Sequence, residues 1–499
     1  MNWMAPADPP GASTGRAGRS RLAWASVVVI ALSYGMVFWA YYPPIFAIHD
    51  EVAMVSNAVV WTHGTVSSDV AGYGALFDFK QIGEHWRCWR NPGRSVTVVP
   101  FYLAGGLGSV FWSGLAIHLG CIGAAVWLLV RLGIHPAWCA AVAFHPTLTL
   151  YSRTVMADGL AGGLLCVAIC FLLGRRPVRD GRLAGLMLGL MVVARYQTAI
   201  LVPACFLAIL LGGAQTWRDR WRRCVAAGVS CGLIGALLIG YNLWVLDSWL
   251  GERRQGYFAI SMFSEHIGFY TGSLMLLWPG LLVAPLFLKR QYALLLGLPC
   301  YAGLVMLCIY YFRDRRESFV ENLVLGLRLS SILLVVWSVA WSAAASRLYG
   351  WWTRRWSSLW PHVALFGGVL VVLVGGTVVM FAAHQKHLRE LQEVRRIVLE
   401  QVPEKATVLT NLHVWKLFGV AGDNPGDRAF VLSDWLGQPQ DVLPVLEGVD
   451  ECWLALHLRA PGEPLAAALA RYGKDFELSM RETGRDDVAV VRMVRRGAS

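Results

Sequence analysis

The sequence predicts a polytopic α-helical membrane protein with a small α/β domain at its C-terminal end, and three observations carry that expectation. Hydrophobic residues occupy 56% of the 499 positions against 15% charged, and mean hydropathy is +0.50. A water-soluble chain of this length needs far more polar surface. Apolar runs of about 20 residues, enough to cross a bilayer, recur along most of the chain. Lys and Arg gather between alternate runs, as in the inner loops of membrane proteins. That distribution, and no single basic patch, accounts for the formal charge of +12, so nucleic acid is not expected as a partner. The 23 tryptophans suit helix ends that meet headgroups.

Residues 1–21 form a Pro/Gly/Ser-rich tail whose Arg16, Arg19 and Arg21 mark the cytoplasmic side. The tail leads straight into a full-length apolar run without a small-residue cleavage site, so no removable signal is expected. The first span, 22–40, runs outward into an outer loop at 41–94. Residues 95–111 are apolar but broken by Pro100 and 'AGGLG', which suits a juxtamembrane or re-entrant helix. Spans are expected at 112–132, 136–151 and 159–173, the last ending inward at Arg175, Arg176, Arg179 and Arg182. Residues 183–213 are long for one crossing and short for two. Both flanks are basic, so the chain should turn as a hairpin near residues 195–198. Further spans at 224–244, 273–288, 291–311, 323–345 and 363–383 bring the total to about eleven, an odd number that leaves the C-terminus outside.

The expected domains are therefore the tail at 1–21, a transmembrane domain at 22–384 and an extracytoplasmic domain at 385–499. In the last, a charged helix at 386–400 precedes short apolar runs such as 'ATVLT', 'RAFVLS' and 'ECWLALHL', alternating with helical stretches. Of the 11 cysteines only Cys88 and Cys452 fall in segments expected outside. Two free thiols are expected there, with a disulfide as the alternative; the rest read as small core residues without metal-ligand spacing.

In this topology nearly all carboxylates of the membrane region face outward, and only Asp8, Asp180 and Asp219 face the cytoplasm. Asp50 and Glu51 come first, after 'YYPP' and before an amphipathic helix; dipole capping is the plain alternative to function. Asp158 sits at the outer mouth of a span, where a carboxylate near hydrocarbon needs a partner or a purpose. Arg153, five residues earlier, is one partner to consider. The basic residues that break the inside rule are Arg253, Arg254, Arg313, Arg315, Arg316 and Arg328. Arginine suits phosphate because its planar fork donates bidentate hydrogen bonds, while headgroup snorkelling is the competing reading.

These residues carry a resemblance. 'HDEVAMVSNAVVWTHGTV', 'HPTLTLYSRTVMADGLAGGLL', 'GLMLGLMVVARYQTAILVPACFLAILL' and 'FSEHIGFY' occur in that order. The series resembles the GT-C superfamily of polyprenyl-phosphate-sugar-dependent glycosyltransferases, in the branch of the lipid A aminoarabinose transferases and protein O-mannosyltransferases. The resemblance covers roughly residues 22–330. It implies transfer of a sugar from a polyprenyl-phosphate donor to a glycan, lipid or protein acceptor, at the outer face of the cytoplasmic (inner) membrane, with inversion. It implies Asp50 as base and Asp158 as a second acid that organises the site, with Glu265 and His266 at the cavity rim. Substrate contacts would further come from Glu51, Arg94 and Arg153, and from Arg313, Arg316 and Arg328. No organic cofactor is implied; a divalent metal near Asp50 and Asp158 stays open. The chain departs from that branch at Phe269, where an Arg is usual, and at 'NPGRSV', where a Lys is common and Arg94 stands nearest. A secondary transporter or lipid flippase is the main rival, but such folds show repeated halves and midplane charges. Here no halves repeat and the charges gather at outer helix ends.

Overall fold

The structure, a computed structural model, describes residues 13–68, 79–212, 215–249, 258–310, 324–353, 358, 360–411, 429–432, 446, 448–458 and 465–497; for 13–22 and 429–432 it describes backbone alone. By compactness the chain divides into two units. The first comprises Met1–Tyr42, Trp112–Leu243 and Ser248–Phe381; the second comprises Pro43–Phe111, Trp244–Asp247 and Ala382–Ser499.

The first unit is helical. Among the described residues, six helices of the chain are long and apolar enough to cross a membrane, within Ala23–Ala40, Trp112–Arg131, Trp217–Leu246, Arg290–Ile309, Arg328–Trp352 and Trp360–Gln401. Two shorter apolar helices cover Asp158–Leu172 and Tyr196–Leu211. The chain is thus a multi-pass membrane protein. The first helix, α1 (Ser13–Ala40), buries Ile30, Tyr34 and Phe38, four residues apart, and exposes Val29, Leu32 and Met36. One stripe meets protein while the other faces are apolar enough for lipid.

Two expected spans are not single helices. Residues 136–151 fold as a 3-10 turn at Pro136–Cys139, a short helix at Ala140–Ala143 and another at Pro146–Ser152. Pro146 lacks an N–H and pushes His145 into an extended conformation, which stops the helix before it. Residues 273–288 are split likewise: a helix runs Phe263–Leu277, and Pro279 and Gly280 (φ +81°) turn the chain before a 3-10 turn at Ala284–Phe287. The hairpin at 195–198 is present. Helix Pro177–Ala194 stops at Arg195, whose φ −154° and ψ 109° are extended, and a 3-10 turn at Tyr196–Ile200 leads into Leu201–Leu211.

Small residues set one close helix crossing of this unit. Gly181, Gly185 and Gly189 lie four apart on helix Pro177–Ala194 and face helix Trp217–Leu246. A Cβ would sit 2.8 Å from the Arg223 carbonyl oxygen at Gly181 and 2.6 Å from Ile234 Cβ at Gly189. At Gly185 it would fall on the Ala227 carbonyl oxygen. Backbones can approach this closely only where side chains are missing. At one end of this crossing Arg223 donates to the carbonyls of Leu172 and Gly174, which end the preceding helix Asp158–Leu172. Helix Trp112–Arg131 ends in a Schellman pattern, with Gly133 at φ +72° and bonds from Ile134 N to Leu129 O and Gly133 N to Val130 O.

The second unit contains helices α2 (His49–Thr62) and α3 (Pro92–Gly105), joined through the antiparallel hairpin β1 (Phe79–Ile82) and β2 (His85–Cys88). Its larger part is a five-stranded sheet with order β4 (Ala429–Leu432), β3 (Thr407–Thr410), β5 (Glu451–His457), β7 (Val488–Arg495), β6 (Phe476–Arg481). The first three strands are parallel and the last two join antiparallel. Leu409, Leu454, Leu456, Tyr472, Phe476 and Val491 form its core with the amphipathic helix Leu465–Tyr472. The charged helix expected at 386–400 does not stand alone: it continues the last apolar run in one helix, Trp360–Gln401. No proline or glycine separates the two halves, so nothing stops the backbone ladder. Leu388 and Leu391 of this helix pack with Ile45 and Ala47 of the segment that follows α1.

Candidate active site

The second unit holds one acidic site residue and separates it from its neighbour. Ile48 precedes α2 with φ −136° and ψ 142°, and the chain turns helical at His49. Glu51, on the first turn, points back: its Oε1 accepts the backbone N–H of Ala47 at 3.0 Å and of Ile48 at 2.9 Å. It satisfies donors that a helix start otherwise leaves open, and it is fully buried. Asp50 keeps part of its side chain at the surface (15%) and pairs with Arg90 at 2.8 Å. The Arg90 guanidinium also lies 4.4 Å over the Trp89 ring.

Local folding explains why these groups meet. The β1–β2 hairpin turns at Gly83 (φ +63°) and packs on α2, where Cys88 Sγ lies 3.8 Å from the Ala53 carbonyl. Strand β2 ends at Cys88, and Pro92, two residues after Arg90, takes the first position of α3. Asn57 Nδ2 donates to Ser95 Oγ at 3.3 Å and ties α2 to α3. Arg94 is fully buried in α3 and donates to Thr97 Oγ1 at 2.7 Å. Burial pushes its guanidinium down to about 9, opposed by the negative charge of Glu51, so it is a cation at neutral pH. Glu51 and Arg94 are thus both buried, and their opposite charges interact.

In the first unit Asp158 opens helix Asp158–Leu172 and is fully buried. Arg195, at the extended break of the hairpin, meets it at 2.9 Å. Arg153 instead donates to backbone: Nε and Nη2 reach the Tyr41 carbonyl at 3.1 and 2.6 Å, and Nη1 the Phe381 carbonyl at 3.4 Å. Glu265 is exposed in the first turn of helix Phe263–Leu277, while His266 is buried with its ring edge-on to Tyr270. Arg328 is buried in a 3-10 turn that Tyr151 fastens through a bond from its hydroxyl to Leu325 O, 2.7 Å. Arg313 and Arg316 lie outside the described residues.

Two ion-pair partners of the acids escaped the sequence reading, Arg90 and Arg195. Arg195 had a usable signal, because it is the only charge within the apolar run 183–213 and such a residue needs a partner. Among the described residues no group of three or more His, Cys, Asp and Glu could hold a metal ion. Asp50 and Asp158 each face a guanidinium, of Arg90 and Arg195 respectively.

No protein-family model and no curated protein sequence matches the chain. Solved structures do. ArnT from Cupriavidus metallidurans in the apo state superposes with a TM-score of 0.59 at 14% identity, covering 95% of this chain and 98% of that one. The same protein bound to undecaprenyl phosphate gives 0.57, again at 14% identity, over 93% and 97%. The fold is therefore that of ArnT. The arabinofuranosyltransferase AftD from Mycobacteria is similar too, with a TM-score of 0.51 at 14% identity over 96% of this chain and 40% of that larger one.

Proposed function

We propose that this GT-C-fold chain is a membrane glycosyltransferase that moves a sugar from a polyprenyl-phosphate donor to an acceptor hydroxyl at the outer face of the cytoplasmic membrane. The observation that carries this reading is the division of labour at the start of α2. Glu51 is used up as a buried cap, whereas Asp50 remains partly open to solvent with an arginine beside it. The two structural relatives whose names bear on substrate support it: one was solved with undecaprenyl phosphate and the other is an arabinofuranosyltransferase.

The chemistry asks little of the protein. The acceptor oxygen attacks the anomeric carbon while the bond from that carbon to the phosphate oxygen breaks. The electron pair leaves with polyprenyl phosphate, and the acceptor proton passes to Asp50. One direct displacement inverts the anomeric centre. Asp50 serves as general base, and Arg90 holds its carboxylate in place. Arg328, with Arg313 and Arg316, supplies charge for the departing phosphate. Asp158, locked by Arg195, organises its own segment, and Glu265 and His266 border the acceptor path. About eleven passes, with residues 385–499 outside, put these groups on the face where such donors are used.

The test is direct. Purified protein in lipid nanodiscs is incubated with undecaprenyl-phosphate-linked sugars and extracted envelope glycans or glycolipids. Transfer with inverted anomeric configuration is expected, and retention of configuration would overturn the single-displacement mechanism. In cells, loss of the gene should alter one lipid-linked or surface glycan.

A further inference from the structure

Helix Trp217–Leu246 ends on Leu246, and Asp247 follows with φ +50°, a left-handed conformation that takes the chain out of the helix. Main-chain carbonyls in a last turn have no partner inside their helix, and the helix dipole makes that end attractive to a cation. Arg87 of β2 supplies one. Its Nη1 donates to the Trp244 carbonyl at 3.1 Å and to the Val245 carbonyl at 2.9 Å, 157 and 158 residues away in sequence. Trp244–Asp247 and the hairpin that carries Arg87 belong to the same unit, the second.

The hairpin needs such an anchor. Of its strand residues Phe79 and Cys88 alone are buried, and a two-stranded hairpin has little stability of its own. Trp86 exchanges main-chain bonds with Ser68: Ser68 N–H to Trp86 O at 2.8 Å, and Trp86 N–H to Ser68 O at 3.2 Å. Cys88 rests on α2 through the weak contact of its thiol with the Ala53 carbonyl. These contacts hold β2 to α2 and to the segment after it. Arg87, between them, ties the strand to Trp244 and Val245 as well. Arg90 follows three positions later and carries the guanidinium that pairs with Asp50.

We propose that Arg87 is a positioning residue for the transfer reaction: by capping the carbonyls of Trp244 and Val245 it holds strand β2 where Arg90 orients the Asp50 carboxylate. This role rests on the proposed function of Asp50. A general base takes a proton only within hydrogen-bond reach of the acceptor hydroxyl, so loss of order at Arg90 is paid in rate, not in donor affinity.

The experiment compares wild type, Arg87→Met, Arg87→Gln and Arg87→Lys in nanodiscs by hydrogen exchange, undecaprenyl phosphate binding, and kcat and KM for transfer. Met removes the charge and the donors, and should speed exchange at residues 79–88 by about tenfold or more. Its kcat, counted per molecule that binds undecaprenyl phosphate, should fall about tenfold, with KM and lipid-phosphate binding within about threefold of wild type. Lys still presents a cation with several donors to both carbonyls and should bring exchange and kcat back to within about threefold of wild type. A role in stability alone would lower the folded fraction and leave the kcat of binding-competent molecules unchanged. If Met does not fold, Gln decides through the same readouts. Unchanged exchange at 79–88, or faster exchange with wild-type kcat, would overturn the proposal. Absence of transfer by wild type would instead overturn Asp50 as base, and the positioning role with it.

Discussion

Asp50 and Glu51 adjoin in sequence and do different things, and only the fold separates them. Asp50→Asn keeps size and hydrogen bonding but cannot take a proton, so kcat should fall by about 10²–10⁴ with melting temperature near wild type. Glu51→Gln should do the reverse, costing about 1–3 kcal/mol of stability through a weakened cap while leaving the rate of the folded fraction nearly unchanged. Equal, small effects at both positions would reduce the pair to dipole capping. A second test concerns Asp158 and Arg195, whose side chains are 0% and 11% exposed. Arg195→Leu removes the guanidinium that faces a buried carboxylate and should destabilise by about 3–5 kcal/mol, with Asp158→Asn added to the same chain restoring part of it. Thermal melts of the single and double variants measure this, and additive losses would argue against a coupled pair. The acids were legible because a carboxylate just outside a span stands out against apolar sequence. Their arginines were not, because each pairing is made by a turn, at Gly83 for Arg90 and at the hairpin break for Arg195, that brings distant residues together.

Among the elements, most long helices could be read from apolar runs, and the failures share one cause. Windows at 136–151 and 273–288 are apolar enough, but Pro146 and the Pro279–Gly280 pair break the backbone ladder inside them. Hydropathy counts side chains and is blind to that. The four-residue spacing of the glycines on helix Pro177–Ala194 stands in the sequence, whereas their partner helix was not legible, since any apolar helix could accept them. Gly185→Leu should prevent stable folding, and even Gly185→Ala should cost about 1–3 kcal/mol or more, because a Cβ there has nowhere to go. Gly235→Ala, with no atom within 4 Å of the added Cβ, should be neutral or slightly stabilising by helix propensity. Size-exclusion profiles after graded heating would separate the two, and a tolerated Gly185→Leu would refute the close crossing.

For the molecule as a whole, the alternation of basic loops predicts which ends face the cytoplasm. Single cysteines at Arg179→Cys and Arg222→Cys, both exposed, should react with an impermeant maleimide only after the membrane is opened. Lys474→Cys, exposed in the C-terminal segment, should react on intact cells. Labelling of Lys474→Cys only after permeabilisation would make the number of crossings even and turn the proposed site inward. The sheet at the C-terminal end was legible as short apolar runs. The continuity of Trp360–Gln401 was not, because the change from apolar to charged residues looks like a boundary when only composition is read.

The cysteines bear on how that experiment can be run. All eleven are free thiols, and every one but Cys231, which lies within an expected span, is buried. Burial pushes the Cys452 thiol up to about 12, so the nucleophilic thiolate is almost absent at neutral pH. The native chain is therefore expected to react little with water-borne sulfhydryl reagents, which labelling of the unmutated protein would check. Introduced cysteines can be read against it directly, without first stripping out residues that fill the helix interfaces.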